Sequence, residues 1–88
     1  MEFFEKKGVV KILLELYQDQ EKPYSKYELE KKTNLSKKTL YKRLDQLLER
    51  GLITEEADIG PRNRTDISLT EKGLKVSSHL QKIHESLR

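Results

Sequence analysis

Lys37, Lys38, Lys42 and Arg43 stand close together in a stretch that also holds Ser36, Thr39, Tyr41 and Gln46. Ammonium and guanidinium groups grouped this way suit phosphate oxygens. In a major groove, lysine can also donate to guanine, and glutamine can read adenine. Arg62 and Arg64 flank Asn63 directly after Gly60-Pro61, so both can project the same way from a turn. Arginine at such a tip enters a narrow minor groove or clamps phosphates. A bland role competes in each case, because exposed lysine and arginine usually do no more than solvate a surface. The elements that carry these residues decide between the two.

Covalent and acid–base chemistry find little support. The chain has no cysteine, no phosphate-binding Gly-rich loop and no dinucleotide turn. His79 and His84 lie about 140° apart on a helix, so they cannot ligate one metal from a single face. They are expected at the surface or an interface. The carboxylates are scattered among lysines, and none is paired in an apolar setting that would raise its pKa. The reading is therefore not an enzyme, with no cofactor, no metal and no evident small-molecule ligand.

The 88 residues are 34% hydrophobic and 38% charged, with a formal net charge of +3. That length suits one domain with a modest core. The charge is uneven: residues 23–50 carry eight basic against four acidic side chains, whereas 51–69 carry two against four. A basic centre in a nearly balanced chain points to a local anionic partner. The longest apolar run, Ile12-Leu13-Leu14, is far too short to span a bilayer. The N-terminus also lacks the pattern of a signal peptide, so the chain is expected to be cytoplasmic (intracellular).

The elements follow from periodicity and punctuation. Phe3 to about Tyr17 reads as one helix, ended by the approach to Pro23. Tyr24 allows a very short strand. Ser25-Lys26-Tyr27-Glu28 fits a capping box opening a short helix to Lys32, with Tyr27 and Leu29 as its apolar contacts. Leu35 plugs the turn, and Ser36 is a second N-cap. From Lys37 to Arg50, Leu40, Leu44, Leu47 and Leu48 repeat at the spacing of one helix face. Gly51 stands where a left-handed C-terminal residue is expected. A strand over 52–57, a turn at Gly60-Pro61 and a strand over Thr65–Leu69 make a β-hairpin. Thr70 caps a last helix reaching about Leu87.

Helix, short strand, helix, turn, helix, hairpin, helix is the order of a helix-turn-helix followed by a wing. Thr39-Leu40-Tyr41-Lys42-Arg43-Leu44, with Leu47 and Gly51-Leu52-Ile53, resembles the recognition helix of winged helix regulators of the PadR and MarR type. Gly60-Pro61-Arg62 and then Leu69-Thr70-Glu71-Lys72-Gly73 resemble their wing and the start of their final helix. The likeness covers roughly residues 8–75. It departs at Asp66-Ile67-Ser68, where PadR-like wings often carry aromatics, and at the C-terminus, which stops after one helix.

The expected fold is mainly α (α+β): a single winged helix-turn-helix domain over 1–88, with a three-helix core, a β-hairpin wing and a C-terminal helix. The expected function is sequence-specific binding of double-stranded DNA by a transcriptional regulator. Helix 37–50 would enter the major groove, with the wing, 58–65, on the minor groove or backbone. The DNA-binding residues would be Ser36, Lys37, Lys38, Thr39, Tyr41, Lys42, Arg43, Gln46, Arg62, Asn63 and Arg64. The alternative is a winged helix used for protein–protein interaction in a transcription or replication assembly, which would favour apolar side chains where Lys38, Lys42 and Gln46 stand. Gly73, Val76, Leu80, Ile83 and Leu87 recur at spacings of three and four, the seam of a two-stranded coiled coil. Helix 71–87 is thus expected to form a homodimer through Val76, Leu80, Ile83 and Leu87, while Leu74 packs on its own domain.

Overall fold

A computed structural model of the chain describes residues 1–57 and 64–88. Its first departure from the sequence reading is at the N-terminus. Phe3–Tyr17 is not one helix but two, α1 (Glu2–Glu5) and α2 (Val9–Gln18). Gly8 lies between them at φ 94°, a backbone conformation that side-chain-bearing residues avoid. A β-carbon there would also come within 2.7 Å of Leu35 Cδ1. The apolar periodicity runs on through this point, but the chain turns at Gly8, whose left-handed backbone and closeness to the buried Leu35 leave no room for a side chain.

The short strand β1 (Tyr24–Ser25) leads into α3 (Lys26–Thr33). The capping box forms: Glu28 N–H donates to Ser25 Oγ at 3.0 Å, and Ser25 N–H donates to Glu28 Oε1 at 3.0 Å. Tyr27 does not pack inward; it is 64% exposed, with the Lys31 ammonium 4.9 Å from its ring centre. The inner face of α3 is instead Leu29 and Thr33, four residues apart and so stacked on one side. The Thr33 hydroxyl donates to Leu29 C=O and accepts from Leu35 N–H, which satisfies polar groups inside the turn.

Helix α4 (Lys37–Glu49) buries Leu40, Leu44 and Leu47. Leu48, read as part of the same stripe, sits at its edge and is 41% exposed. Gly51 takes the left-handed conformation expected of it, at φ 72°. Strands β2 (Ile53–Ala57) and β3 (Thr65–Leu69) form the hairpin, and β1 adds to the other side of β3. All pairs are antiparallel, with Ile53 opposite Leu69, Ala57 opposite Thr65, and Tyr24 opposite Ile67. The central strand thus buries Ile67 completely.

Helix α5 (Glu71–Ser86) starts at the Thr70 cap, whose hydroxyl accepts from Gly73 N–H at 2.9 Å. Its inner face is made of small residues, Gly73 and Ser77, both buried. A β-carbon at Gly73 would lie 2.0 Å from the Leu52 carbonyl oxygen, so Gly73 belongs to close packing within the domain, not to an intermolecular seam. Val76 and Leu80 likewise pack, partly buried, on the core of their own chain. Leu74 is half-buried beside Leu16, Tyr24, Ile67 and Leu69, as expected.

The core is one cluster drawn from α2, α3, α4, the three strands and the turns between them: Val9, Ile12, Leu13 and Leu16, Tyr24, Leu29, Leu35, the buried α4 leucines, Leu52, Ile53 and Ile67. Val76 and Leu80 of α5 pack against it. Each fully buried aliphatic side chain here contributes roughly 1.5–3 kcal/mol of transfer free energy. This cluster holds α4 with its leucines down and its opposite face in solvent.

Candidate nucleic-acid interface

The free face of α4 follows from that burial. Residues half a turn from Leu40 and Leu44 point outward, and Lys38 and Lys42 are both exposed. At the N-terminus the Ser36 Oγ accepts from Thr39 N–H at 3.2 Å and donates to Thr39 Oγ1 at 3.0 Å. Thr39 is therefore oriented by the cap. The first turn of α4 carries no acidic residue, so the positive end of its dipole is uncompensated and open to an anion. Asp45 and Glu49 are exposed further along, which confines the cationic surface to the first two turns.

Tyr41 lies on the flank of α4 that faces α3. The Lys26 ammonium sits 4.6 Å from its ring centre and that of Lys37 5.7 Å. Lys26 also approaches Glu55 of β2 at 3.9 Å. The ring gathers two cations into one patch beside the lysines of the outer face, each contact worth about 0.5–1 kcal/mol where solvent reaches it. The sequence reading missed Lys26. Its only local signal is its place after the Ser25 cap, and nothing there says that α3 turns it towards Tyr41.

The other flank does different work. Arg43 Nε donates to the Lys7 carbonyl at 2.8 Å, and one terminal nitrogen donates to Gln46 Oε1 at 3.1 Å. Arg43 thus faces the junction of α1 and α2, where it satisfies a backbone carbonyl beside Gly8, and Gln46 is engaged as its hydrogen-bond acceptor. Ser36, Lys37, Lys38, Thr39, Tyr41 and Lys42 are brought together on one surface; Arg43 and Gln46 border it.

In the wing, Arg62 and Asn63 lie outside the described residues, as do Gly60 and Pro61. Arg64 is described, and it points back into the domain. Its Nε donates to the Asp66 carboxylate. A terminal nitrogen donates to Glu28 Oε1 at 3.2 Å and to the Pro23 carbonyl at 3.5 Å. The Ser25 backbone N–H chiefly holds the Glu28 carboxyl below its usual range, opposed by partial burial and aided by Arg64. Burial, with Glu15 and Asp19 nearby, pushes the Tyr24 phenol up.

Among the described residues no group of acidic, histidine or cysteine side chains is placed to hold a metal, and no helix is long and apolar enough to cross a membrane. His79 and His84 are exposed on α5.

Residues 6–88 match the family model described as winged helix-turn-helix, and the chain belongs to that family. It is similar in structure to MepR, a transcription regulator of the Staphylococcus aureus multidrug efflux pump MepA, at 22% identity and a TM-score of 0.80 over 92% of this chain. It spans 58% of that MepR chain. It is also similar to S. aureus MepR in a complex with DNA, at 21% identity and a TM-score of 0.80, covering 98% of this chain and 73% of that one. AF1382 from Archaeoglobus fulgidus aligns at 19% identity and a TM-score of 0.83 over 94% of this chain and 90% of its own. At these identities the likeness establishes the fold. No curated protein matches by sequence.

Proposed function

We propose that this chain is a sequence-specific double-stranded DNA-binding protein and transcriptional regulator, with α4 entering the major groove and the wing on the minor groove or backbone. One observation carries the reading: Lys38 and Lys42 stand in line on the exposed face of α4, opposite its buried leucines, next to a capped, anion-ready N-terminus. A helix presented this way fits a groove about 12 Å wide. An interaction module would show apolar side chains at those positions. The likeness to MepR, one structure of which is a DNA complex, supports the same reading. It also supports a place inside the cell and a binding role without catalysis.

In this reading the chain works as a homodimer. Ile83 and Leu87 are 54% and 83% exposed at the end of α5, and Val76 and Leu80 support that helix from within. Two copies would set their α4 helices about 34 Å apart, one helical turn of DNA, on a palindromic site.

Selection from a random duplex pool tests specificity. A regulator enriches a short, two-fold symmetric motif, and Lys42→Ala relaxes preference within it. Enrichment of no motif would leave only non-specific binding.

A further inference from the structure

The wing cation Arg64 makes contacts that a DNA ligand does not need. Its guanidinium is half-buried and bridges three segments: Asp66 on β3, Glu28 on the first turn of α3, and the Pro23 carbonyl before β1. Ser25 stands opposite Asp66 in the β1–β3 ladder, so these partners meet at one end of the sheet. Glu28 Oε1 accepts both from Arg64 and from Ser25 N–H. A single oxygen thus joins the start of the helix-turn-helix to the far end of the wing strands.

We infer that Arg64 is a positioning residue, a clasp that sets the wing against α3 through Glu28 and so places the wing for DNA. The inference rests on the DNA-binding reading above. Ion pairs this exposed add little to global stability, so their effect falls on the local geometry they fix. The wing joins the rest of the fold mainly through β3. Lys26 approaches Glu55 on β2, and among the described residues Arg64 anchors the far end of the hairpin, next to the Ala57–Thr65 pair. The planar guanidinium suits this task because it can serve three acceptors from fixed directions.

The competing role, Arg64 as a direct phosphate ligand, predicts the opposite sign in one variant. Glu28→Gln keeps an acceptor for Ser25 N–H, since glutamine also serves in a capping box, but removes the charge that holds Arg64. If Arg64 were a phosphate ligand, losing that carboxylate would free it and tighten binding. As a clasp, Glu28→Gln and Arg64→Gln each weaken DNA binding by roughly threefold or more, and the double variant is no weaker than Arg64→Gln alone. In the DNA-free protein, amide exchange at Ala57 and Thr65, paired across the hairpin, speeds up in both variants while exchange in α2 and α4 does not change. Tighter binding by Glu28→Gln, additive losses, or unchanged exchange at the hairpin would overturn the clasp. If the wild type binds no duplex, the proposed function fails, and the exchange measurement alone still decides the clasp.

Discussion

Replacing Gly73 by alanine would put a methyl group where the Leu52 carbonyl oxygen already lies, 2.0 Å away. That carbonyl also accepts from Thr70 N–H at 3.1 Å, so it cannot retreat without disturbing the start of α5. Gly51 poses a different problem: nothing lies within 4 Å of its missing β-carbon, but φ is 72°. We predict that Gly51→Ala costs about 1 kcal/mol and Gly73→Ala at least about 2–3 kcal/mol, measured by urea denaturation; the reverse order would contradict the packing of α5. Among the described residues the buried Ser77 Oγ has no hydrogen-bond partner. Ser77→Ala removes an unsatisfied hydroxyl and should leave the denaturation midpoint unchanged or raise it. The titratable groups set the pH limits. Glu28 has a lowered folded pKa, so its contribution is complete above its ordinary value of 4.5 and is lost as pH falls through the lower folded value. Tyr24 has a raised one, so its contribution holds below 10.0 and is lost as pH rises through the folded value. Tyr24→Phe should therefore gain on the wild type above about pH 10 in paired thermal melts; a constant difference between the two would show that the phenol does not titrate with folding.

The elements differ in how far local sequence decides them. Helix α4 was legible because its leucine spacing, its Ser36 cap and Gly51 all agree. The capping box of α3 was legible for the same kind of reason, since both partners lie within one turn. Ser25→Ala should accordingly cost about 1 kcal/mol, and an unchanged midpoint would mean the reciprocal bonds do not hold in solution. The break between α1 and α2 was hidden, because apolar residues continue on both sides of Gly8, and the Leu35 side chain packed against that glycine comes from far along the chain. The exposure of Tyr27 was hidden too: α3 is short, and its few apolar residues do not define a face until Leu29 and Thr33 are fixed by the turn. On the candidate interface, the outer lysines of α4 could be read from the leucines opposite them. The inward turn of Arg43 and the clasp of Arg64 could not. Each depends on an acceptor 36 residues away, and residue type alone does not say whether a guanidinium meets solvent, DNA or its own domain.

At the scale of the whole molecule, α5 has two parts. Its first half closes the core with Gly73, Ser77, Val76 and Leu80; its end carries Ile83 and Leu87 into solvent, and the molecule measures 43 × 26 × 23 Å. The heptad spacing marked one continuous seam, whereas packing uses half of it within the chain, a difference that periodicity does not reveal. A double variant, Ile83→Glu with Leu87→Glu, should stay folded and sediment as a monomer, while Leu80→Glu should also lower stability because Leu80 touches its own core. A wild type that sediments as a monomer at tens of micromolar would contradict the dimer. The central claim, that the outer face of α4 binds duplex DNA, is tested most directly by fluorescence anisotropy of a labelled random duplex across a salt series, comparing the wild type with Lys38→Ala/Lys42→Ala. The account predicts wild-type binding that weakens steeply with salt, by about 0.9 log units per log unit of salt for each neutralised phosphate, and a variant that binds many-fold more weakly at every salt concentration. No binding at low salt, or equal affinity for the two proteins, would contradict it.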